Sequence, residues 1–248
     1  AVAALAYGTE TLRPVDVVVG PGNLFVTLAK RAVIGAVGID GLAGPSEILV
    51  VASEGAEPSW VAADLVSQLE HDPLAWAVCV TDSEPLAAAV TEAFAQQAAR
   101  AARSGIIEDA AGRHGCVVVC EGLDEAVEVA NAFAPEHLEL VGAGAEALVD
   151  RVTAAGAVFV GGLTPVPMGD YIAGPNHTLP TGGSARFAGP LSVMDFIRWS
   201  SVTRLDAAEM RALGPAVRVL ADAEGLLGHS AAVQLRLDAL DALGPDTL

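Results

Sequence analysis

The sequence predicts an α/β fold, in which a mostly parallel sheet is covered by helices and followed by a helical C-terminal arm. Up to Gly189, short apolar runs alternate with longer amphipathic stretches, and beyond it only helical periodicity remains. The apolar runs are VDVVVG, EILVVA, WAVCVTD, CVVVC, HLELVG and AVFVGG. Their β-branched residues are typical of strands that are buried on both faces of a parallel sheet.

Helices are predicted between these strands and at the start of the chain. The stretches between the strands are SWVAADLVSQLEH, SEPLAAAVTEAFAQQAARAA, LDEAVEVANAF and GAEALVDRVTAAG. The opening residues AVAALAYGTE predict the last turns of a helix that ends at Gly8, because glycine is favoured just past a helix end. Neither a capping residue nor an initiator methionine precedes these turns, so we expect a fragment whose upstream half is missing.

Three more helices are predicted after Gly189. They cover LSVMDFIRWSS, DAAEMRALGPAVRVLADAEG and SAAVQLRLDALDAL. An arm of this size has little core of its own, so we expect it to pack on another surface, such as a second subunit. The pattern thereby divides the chain into a mixed α/β part up to Gly189 and a helical part that follows it.

Charge and composition exclude some classes of partner. With 13 basic and 31 acidic residues, the chain carries a formal charge of -18, which repels nucleic-acid phosphates and anionic lipid headgroups. Glycine, proline or charge interrupts every apolar run before the roughly 18 residues that a membrane span needs. Neither a secretory signal nor a disulfide framework is evident. We therefore expect a cytoplasmic protein that binds no nucleic acid and no membrane.

The cysteines Cys79, Cys116 and Cys120 are expected to be buried, unreactive thiols, since free cysteine is among the most buried residue types. Cys116 and Cys120 lie four residues apart in a β-branched run, which places them on one face of a strand. A zinc site that combined them with His114 would need a fourth ligand and a turn, and this stretch offers neither.

A polar stripe follows the helix predicted over SWVAADLVSQLEH. Its apolar residues repeat every four positions and face the core, whereas Asp64, Gln68 and His71 fall on a separate narrow stripe. Gln68 and His71, three residues apart, can converge on one ion. The pattern also fits an exposed polar face near a helix C-terminus, where histidine is favoured. Taken alone, this stretch favours the second interpretation.

The segment FAPEHLEL places Glu136 and His137 after a proline, at the entrance to a strand. An adjacent carboxylate and imidazole can both move protons near neutral pH, and one of them could activate water. On a strand their side chains would diverge, so both can face one site only if the backbone has a loop conformation, which Pro135 favours. An exposed strand start with ordinary polar residues explains the pattern equally well.

The stretch GDYIAGPNHTLPTGG, residues 169–183, has neither helical nor strand periodicity. Ordered connections of this length usually bind or catalyse. The stretch follows the strand AVFVGG, and in open α/β sheets ligands collect beyond the carboxyl ends of strands. That location favours a functional role for Asp170 and His177 over an ordinary surface loop.

Three further segments give weaker signals. VVVGPGNLFVTLAK combines a strand, a glycine-rich turn and a helix, which would let the backbone approach a dinucleotide pyrophosphate, but the full G-x-G-x-x-G pattern is absent. LAGPSEILVV contains a turn that ordinary turn chemistry explains. EGLLGHSAAV carries Glu224 and His229, for which exposed linker residues are the simplest interpretation.

Together, six motifs resemble the histidinol dehydrogenase family in order and approximate spacing, from end to end of the chain. They are GPGN, AGPSE, SQLEHDP, PEHLEL, GDYIAGPNHTLPTGG and GHSAAV. The resemblance implies incomplete Rossmann-like parallel sheets. It assigns residues 1–47 to the C-terminal part of an NAD-binding domain, 48–189 to the second half of a zinc and substrate domain, and 190–248 to a dimerisation arm.

The resemblance also implies an activity. Members are zinc-dependent homodimers that oxidise L-histidinol to L-histidine through histidinaldehyde, a four-electron reaction with NAD that ends histidine biosynthesis. The family has an upstream segment with further NAD contacts that this sequence lacks. We therefore expect the full-length protein to be active, and this chain alone to bind NAD poorly or not at all.

Residue roles follow from the matched motif positions. The resemblance implies zinc ligation by Gln68, His71 and Asp170, with His229 supplied by the other subunit. His137 resembles the base that removes the hydroxyl proton, and Glu136 resembles the residue that activates water. Substrate contacts are implied for Ser46, Gln68, His71, His137, Asp170, Glu224 and His229, with Glu224 also from the partner chain. Asn23 matches a cofactor contact, and His177 receives no role.

Two other interpretations stay open. A related zinc- and NAD-dependent alcohol dehydrogenase acting on another substrate, such as a sulfonated diol, would keep the zinc and the Glu-His pair. Ser46 and Glu224 favour histidinol over that substrate. From a different class, zinc, Glu136 and His137 could form a metallohydrolase, or the chain could be a non-catalytic zinc-binding fragment.

Overall fold

The structure, a computed structural model, describes residues 1–243 and consists of two compact units. One unit extends from Ala1 to Ile197, and the other begins at Arg198. The first unit contains two parallel sheets, and the second contains two long helices. Within the described residues, no helix is both long and apolar enough to cross a membrane. The predicted α/β fold with parallel sheets and C-terminal helices is confirmed.

Strands and helices alternate along the first unit. The strands are β1 (Val17–Val18), β2 (Gly38–Ile39), β3 (Glu47–Ala52), β4 (Trp76–Thr81), β5 (Gly115–Val119), β6 (His137–Val141) and β7 (Ala157–Val160). The helices are α1 (Val2–Tyr7), α2 (Leu24–Ala32), α3 (Pro58–Leu69), α4 (Glu84–Ala98), α5 (Ser104–His114), α6 (Leu123–Phe133), α7 (Ala143–Glu146) and α8 (Val166–Tyr171). The second unit contains α9 (Ala207–Ala223) and α10 (Leu227–Leu243).

The larger sheet has the strand order β5-β4-β3-β6-β7, and all its neighbouring strands are parallel. Its central strand β3 is buried along its whole length. Ile48 and Val50 pack under α3, α4 and α5, whereas Leu49 and Val51 pack under α6 on the opposite face. Burial of each such side chain contributes about 1.5–3 kcal/mol, so both faces hold their helices firmly.

The smaller sheet pairs β1 with β2, and a buried ion pair fixes the turn that follows β1. Lys30 Nζ donates to the Gly20 carbonyl and to Asp40 Oδ1, at 2.5 Å in each case. The Gly20 N–H donates to Asp40 Oδ2 at 2.7 Å. Because Lys30 lies on α2 and Asp40 follows β2, the pair ties the GPGN turn to both neighbouring elements.

Several local predictions are confirmed and others are wrong. Each predicted strand segment contains a strand, and α1 ends at Gly8 as expected. The segment LSVMDFIRWSS was predicted to be a helix, but it forms only a 3-10 turn over Val193–Phe196. Ser192 and Asp195 form a capping box there, and the chain is extended again at Ile197. Helix α5 was not predicted.

The stretch GAEALVDRVTAAG is also not one helix. It divides into α7 and a 3-10 turn over Val149–Arg151. Asn131 on α6 accepts hydrogen bonds from the Thr153 and Ala154 N–H groups and donates to the Arg151 carbonyl. These bonds satisfy backbone groups that a continuous helix would pair internally, so the helix ends early.

The cysteine prediction is correct for Cys79 and Cys120 and wrong for Cys116, which is exposed. All three are free thiols. Cys116 lies on β5, the edge strand of the larger sheet, where one side of the strand has no neighbour. Burial raises the pKa of Cys79 and Cys120, and partial desolvation raises that of the exposed Cys116, so none of them is activated as a thiolate.

Candidate active site

Glu136 and His137 lie together at the start of β6, and both are buried. Helix α6 ends at Phe133, the next residue Ala134 has a φ of 52° in the left-handed region, and Pro135 then directs the chain into the sheet. This turn lets both side chains face one site, with His137 Nδ1 3.7 Å from Glu136 Oε2. The alternative of an exposed strand start is wrong.

Glu47, the first residue of β3, supports this pair. Its N–H donates to Glu136 Oε2 at 3.0 Å, and its own Oε2 accepts from the Glu136 N–H at 3.3 Å. Its Oε1 accepts from the Gly182 N–H at 3.0 Å, which ties the 169–183 segment to the site. Sequence reasoning missed Glu47, although a carboxylate at the start of a fully apolar strand signals a residue with special partners.

The hydrogen bond to Glu47 fixes the tautomer of His137. His137 Nδ1 lies 3.0 Å from the Glu47 carbonyl oxygen, which can only accept, so Nδ1 carries the proton and Nε2 the lone pair. Burial lowers the pKa of His137, although this hydrogen bond and the charge of Asp170 act in the opposite direction. The imidazole is therefore a neutral base at pH 7, with Nε2 as its basic atom.

Glu136 titrates closer to neutrality than an ordinary carboxyl. Burial raises its pKa to about 8, and the negative charges of Glu47 and Asp170 add to the effect, whereas the hydrogen bond from the Glu47 N–H opposes it. A carboxyl with a pKa near the working pH can both take up and release a proton during a reaction.

Asp170 reaches His137 from a helix and not from a loop. The stretch predicted to be irregular from residue 169 begins inside α8, and Asp170 Oδ1 lies 3.8 Å from His137 Nε2. Gly169 allows α8 to pack closely on β7, since a Cβ at this position would lie 2.6 Å from the Phe159 ring. The close packing of α8 on β7 therefore places the Asp170 carboxylate next to His137.

The site lies at the amino ends of β3 and β6, so the expectation of a site beyond the carboxyl ends is wrong. Helix α8 starts beside the middle of β6, where the Val166 N–H donates to Glu139, and brings Asp170 back to the start of that strand. The carboxyl ends of β3 and β6 are instead covered by closely packed protein atoms. Ser53 Oγ accepts from the Ala145 N–H there, and a Cβ at Gly142 would lie 2.6 Å from that oxygen.

Gln68 and His71 approach the same place from the end of α3. Gln68 is buried, which contradicts an exposed polar face, whereas His71 is exposed. The charges of His71 and His177 both act to lower the pKa of His137, so these rings are within electrostatic reach of it. The structure therefore brings His71, His137, Asp170 and His177 into one region.

These residues suit a divalent cation. Gln68 Nε2 and His137 Nε2 are buried and have no hydrogen-bond partner among the described residues. A rotation of the Gln68 amide would present its oxygen instead, and zinc accepts oxygen and imidazole ligands. Residues 1–243 contain no group of three His, Cys, Asp or Glu side chains suited to one ion. Of the four predicted zinc ligands, only His71 and Asp170 are residues of these types in the first unit, because Gln68 is an amide and His229 belongs to the second unit.

The other predicted site residues belong to other segments of the chain. Ser46 directly precedes Glu47, and its carbonyl accepts from the Trp76 N–H. Asn23 caps α2, because its Oδ1 accepts from the N–H groups of Phe25 and Val26. Glu224 and His229 belong to the second unit, where Glu224 follows α9 and His229 lies in the first turn of α10. Both are exposed.

A cavity of about 440 Å³ connects the GPGN turn with the segment that Glu47 holds. Gly20 and Lys30 line one side, and Thr181 and Gly182 line the other. The Gly44 N–H donates to Thr181 Oγ1 at 2.5 Å and helps to hold the two sides together. The volume of this cavity is in the range typical of small-molecule sites, roughly 300–1,000 Å³.

Comparisons with known proteins agree with these features. The Histidinol dehydrogenase family model matches residues 1–237. The chain belongs to the histidinol dehydrogenase family. It is 52% identical to the histidinol dehydrogenase of Thermosynechococcus vestitus over 237 residues, which are 96% of this chain and 55% of that protein. It is 50% identical to the histidinol dehydrogenase of Cereibacter sphaeroides over 241 residues, 97% of this chain and 56% of that protein.

A solved structure extends the similarity to the histidinol dehydrogenase fold. The crystal structure of histidinol dehydrogenase from Elizabethkingia anophelis matches with a TM-score of 0.89 at 36% identity, over 97% of this chain and 55% of that one. The chain thus spans about half the length of these histidinol dehydrogenases. The resemblance predicted from six motifs is confirmed at the level of the family.

Proposed function

We propose that this chain provides the base, the water-activating residue and the zinc ligands of a histidinol dehydrogenase. The reaction is the NAD-dependent oxidation of L-histidinol to L-histidine through histidinaldehyde, the last step of histidine biosynthesis, in the cytoplasm. One observation supports it most directly. A neutral His137 with an unpartnered Nε2 stands beside the carboxyl groups of Glu136 and Asp170 in a member of this family.

The protein's own groups supply the proton transfers. His137 Nε2 takes the hydroxyl proton as hydride leaves the carbinol carbon, and the hydrogen bond from Nδ1 to the Glu47 carbonyl stabilises the resulting imidazolium. Glu136 then removes a proton from the water that attacks the aldehyde. Because its pKa is near 8, the fraction of Glu136 that is ionised and able to accept this proton rises as pH increases through this value. When bound, zinc supplies orientation and Lewis acidity, and NAD accepts the hydride.

Gln68, His71 and Asp170 would hold the zinc, and His229 of the partner subunit would complete its protein ligands. The buried, unpartnered amide of Gln68 supports this assignment, because an ion would satisfy a group that otherwise costs free energy. Ser46 and the partner subunit's Glu224 would contact the substrate, and Asn23 would contact NAD. A homodimer follows from this arrangement.

The test uses NADH formation from L-histidinol. This chain, fused behind the part of the Thermosynechococcus vestitus relative that it does not match, gives a protein that we call the chimera. We expect the chimera to reduce NAD with histidinol, to lose activity with a zinc chelator and to regain it with added zinc. The chain alone should bind NAD poorly and show little activity, so a normal rate from the chain alone would contradict that part of the proposal.

Variants of the chimera connect the activity to the site. His137→Asn should lower kcat by about 10²–10⁴-fold, because it removes the general base. Cys116→Ala, at an exposed thiol on the sheet edge, serves as the control and should retain full activity. Turnover of a sulfonated diol in preference to histidinol would indicate the related alcohol dehydrogenase. Zinc binding without NADH formation would indicate a metallohydrolase or a non-catalytic fragment.

A further inference from the structure

Two further acidic side chains, Asp64 and Glu139, take no part in the proposed reaction. Glu139 lies two residues after His137 on β6 and is 1% exposed. Its Oε1 accepts from the Val166 N–H at 3.0 Å, and its Oε2 is buried without a hydrogen-bond partner among residues 1–243. The carboxyl of Asp64, on α3, lies within hydrogen-bonding reach of it.

Two carboxylates in such a place cannot both be ionised. No lysine or arginine of the described residues forms an ion pair with Asp64 or Glu139. Like charges at this separation repel strongly in a low dielectric, so one of the two groups keeps its proton. The proton then forms a charge-assisted O–H···O hydrogen bond between them, which gives Glu139 Oε2 the partner that it otherwise lacks.

We propose that Asp64 and Glu139 share one proton and act as positioning residues for the active site. The shared proton fixes α3 to β6, and the Val166 hydrogen bond fixes α8 to β6. These elements carry the predicted site residues close by, since Gln68 lies one helical turn after Asp64 and Asp170 one turn after Val166. The proposal rests on the proposed function, because the residues that the pair would position, Gln68 and Asp170, are the proposed zinc ligands.

Stability alone does not explain the pair. A buried ionisable pair replaced by well-packed apolar side chains usually leaves a protein equally or more stable. A hydrogen bond, however, sets a direction and a distance that an apolar contact does not. The pair therefore contributes geometry, in the way that groups behind metal ligands orient those ligands.

The shared proton can be detected in this chain without any enzyme assay. An infrared difference spectrum between the wild type and Glu139→Gln at pH 7 should show the carbonyl band of a protonated carboxylic acid only in the wild type. The contribution of Glu136, which both proteins share, cancels in the difference. If the difference spectrum contains no such band, the shared proton is excluded and the proposal falls.

The positioning role is tested by zinc affinity, measured by competition with a chelating dye. Glu139→Gln should bind zinc within about threefold of the wild type, because its amide can donate to Asp64 and accept from Val166. Glu139→Leu, which can do neither, should lose about 10–100-fold in affinity. Equal affinity in a folded Glu139→Leu would overturn the positioning role.

A second variant covers the case in which Glu139→Leu does not fold. Asp64→Asn combined with Glu139→Gln creates an amide pair that keeps donors and acceptors, so its zinc affinity should stay close to that of the wild type. A large loss in this folded double variant would also overturn the proposal. Failure of the wild type itself to bind zinc would instead exclude the proposed zinc site, and the positioning role with it, whatever the infrared result.

Discussion

Glu47 is the residue whose charge most directly controls Glu136. We expect Glu47→Gln to lower the pKa of Glu136, because it removes a negative charge that raises this pKa. In the chimera, the rate of histidinaldehyde oxidation plotted against pH should therefore have its acidic limb at lower pH. Glu47→Asp, which keeps the charge but shortens the reach, should leave the limb in place while kcat falls. An unmoved limb in the glutamine variant would contradict this role.

Buried carboxyl groups also predict how stability depends on pH. Burial raises the pKa of Glu136 to about 8 and that of Glu139 to about 9, from an ordinary value of 4.5. Between pH 7 and 8 the folded chain therefore holds protons that the unfolded chain has released, and stability falls as pH rises. The lowered pKa of His137 acts in the opposite direction only near and below its ordinary value of 6.5.

Urea unfolding of the metal-free chain at pH 7 and at pH 8 measures this effect. Each carboxyl should contribute a decrease of up to about 1.4 kcal/mol per pH unit in the free energy of unfolding. Glu139→Gln should flatten the dependence, because glutamine does not titrate. A free energy of unfolding that rises from pH 7 to pH 8 would show that these groups are not protonated in the folded state.

At the residue scale, the sequence predicted the polar groups in recognisable motifs and missed those that only burial reveals. Glu136, His137 and Asp170 were identified through their neighbours in sequence, and in the structure His137 lies within 4 Å of both carboxyl groups. Glu47 and Glu139 were missed, because a carboxylate within an apolar strand signals special partners but does not identify them. Only the packing of α3 and α8 on the sheet shows that these carboxyl groups are enclosed.

The packing of α8 on β7 determines where Asp170 lies. A methyl group at position 169 would lie 2.6 Å from the Phe159 ring, so in Gly169→Ala either α8 or this ring must shift. We expect a loss of about 1–3 kcal/mol in stability, together with weaker zinc binding through Asp170. Gly112→Ala on α5, where the Cβ meets open space, is the matched control and should stabilise the chain by about 0.5–1 kcal/mol.

Denaturant unfolding of the two variants separates these outcomes. If Gly169→Ala is as stable as the wild type and binds zinc equally well, α8 does not need its close approach to the sheet. Combining Gly169→Ala with Phe159→Leu should recover part of the lost zinc affinity, since the smaller side chain makes room for the methyl group.

At the element scale, most long periodic segments were predicted, whereas β2, α5 and most of the short elements were missed. Strands β1 and β3 to β7 and helices α3, α4, α6, α9 and α10 follow apolar patterns of sufficient length. Helix α8 and the 3-10 turns contain too few residues for a periodicity to appear. Their conformations depend on distant partners, such as the Asn131 side chain that ends the helix predicted over GAEALVDRVTAAG.

For the whole molecule, the proposed sharing of residues between subunits can be tested by complementation. Asp170→Ala and His229→Ala chimeras should each be inactive alone. When the two are co-expressed, mixed dimers should contain one intact site, and random pairing gives about a quarter of the wild-type activity. Donation of His229 within one chain predicts no recovery at all.

The whole molecule was more predictable than its site. Six motifs in order identified the family, which the family match over residues 1–237 confirms. The edge of the sheet that carries the site was predicted wrongly, because the general rule for open α/β sheets does not anticipate a helix that returns along β6. Asp170 was thus identified as a candidate, although the reason given for its location was incorrect.

The placement of this site at the amino edge has an electrostatic consequence. Helices that join parallel strands run from the carboxyl edge to the amino edge, so their C-termini face the site. α3 ends at Leu69 and α6 at Phe133, just before His71 and Glu136. Aligned peptide dipoles place roughly half a negative elementary charge at each such end. The local field therefore attracts a metal ion or a protonated amine and disfavours phosphate, the reverse of the polarity at helix N-termini.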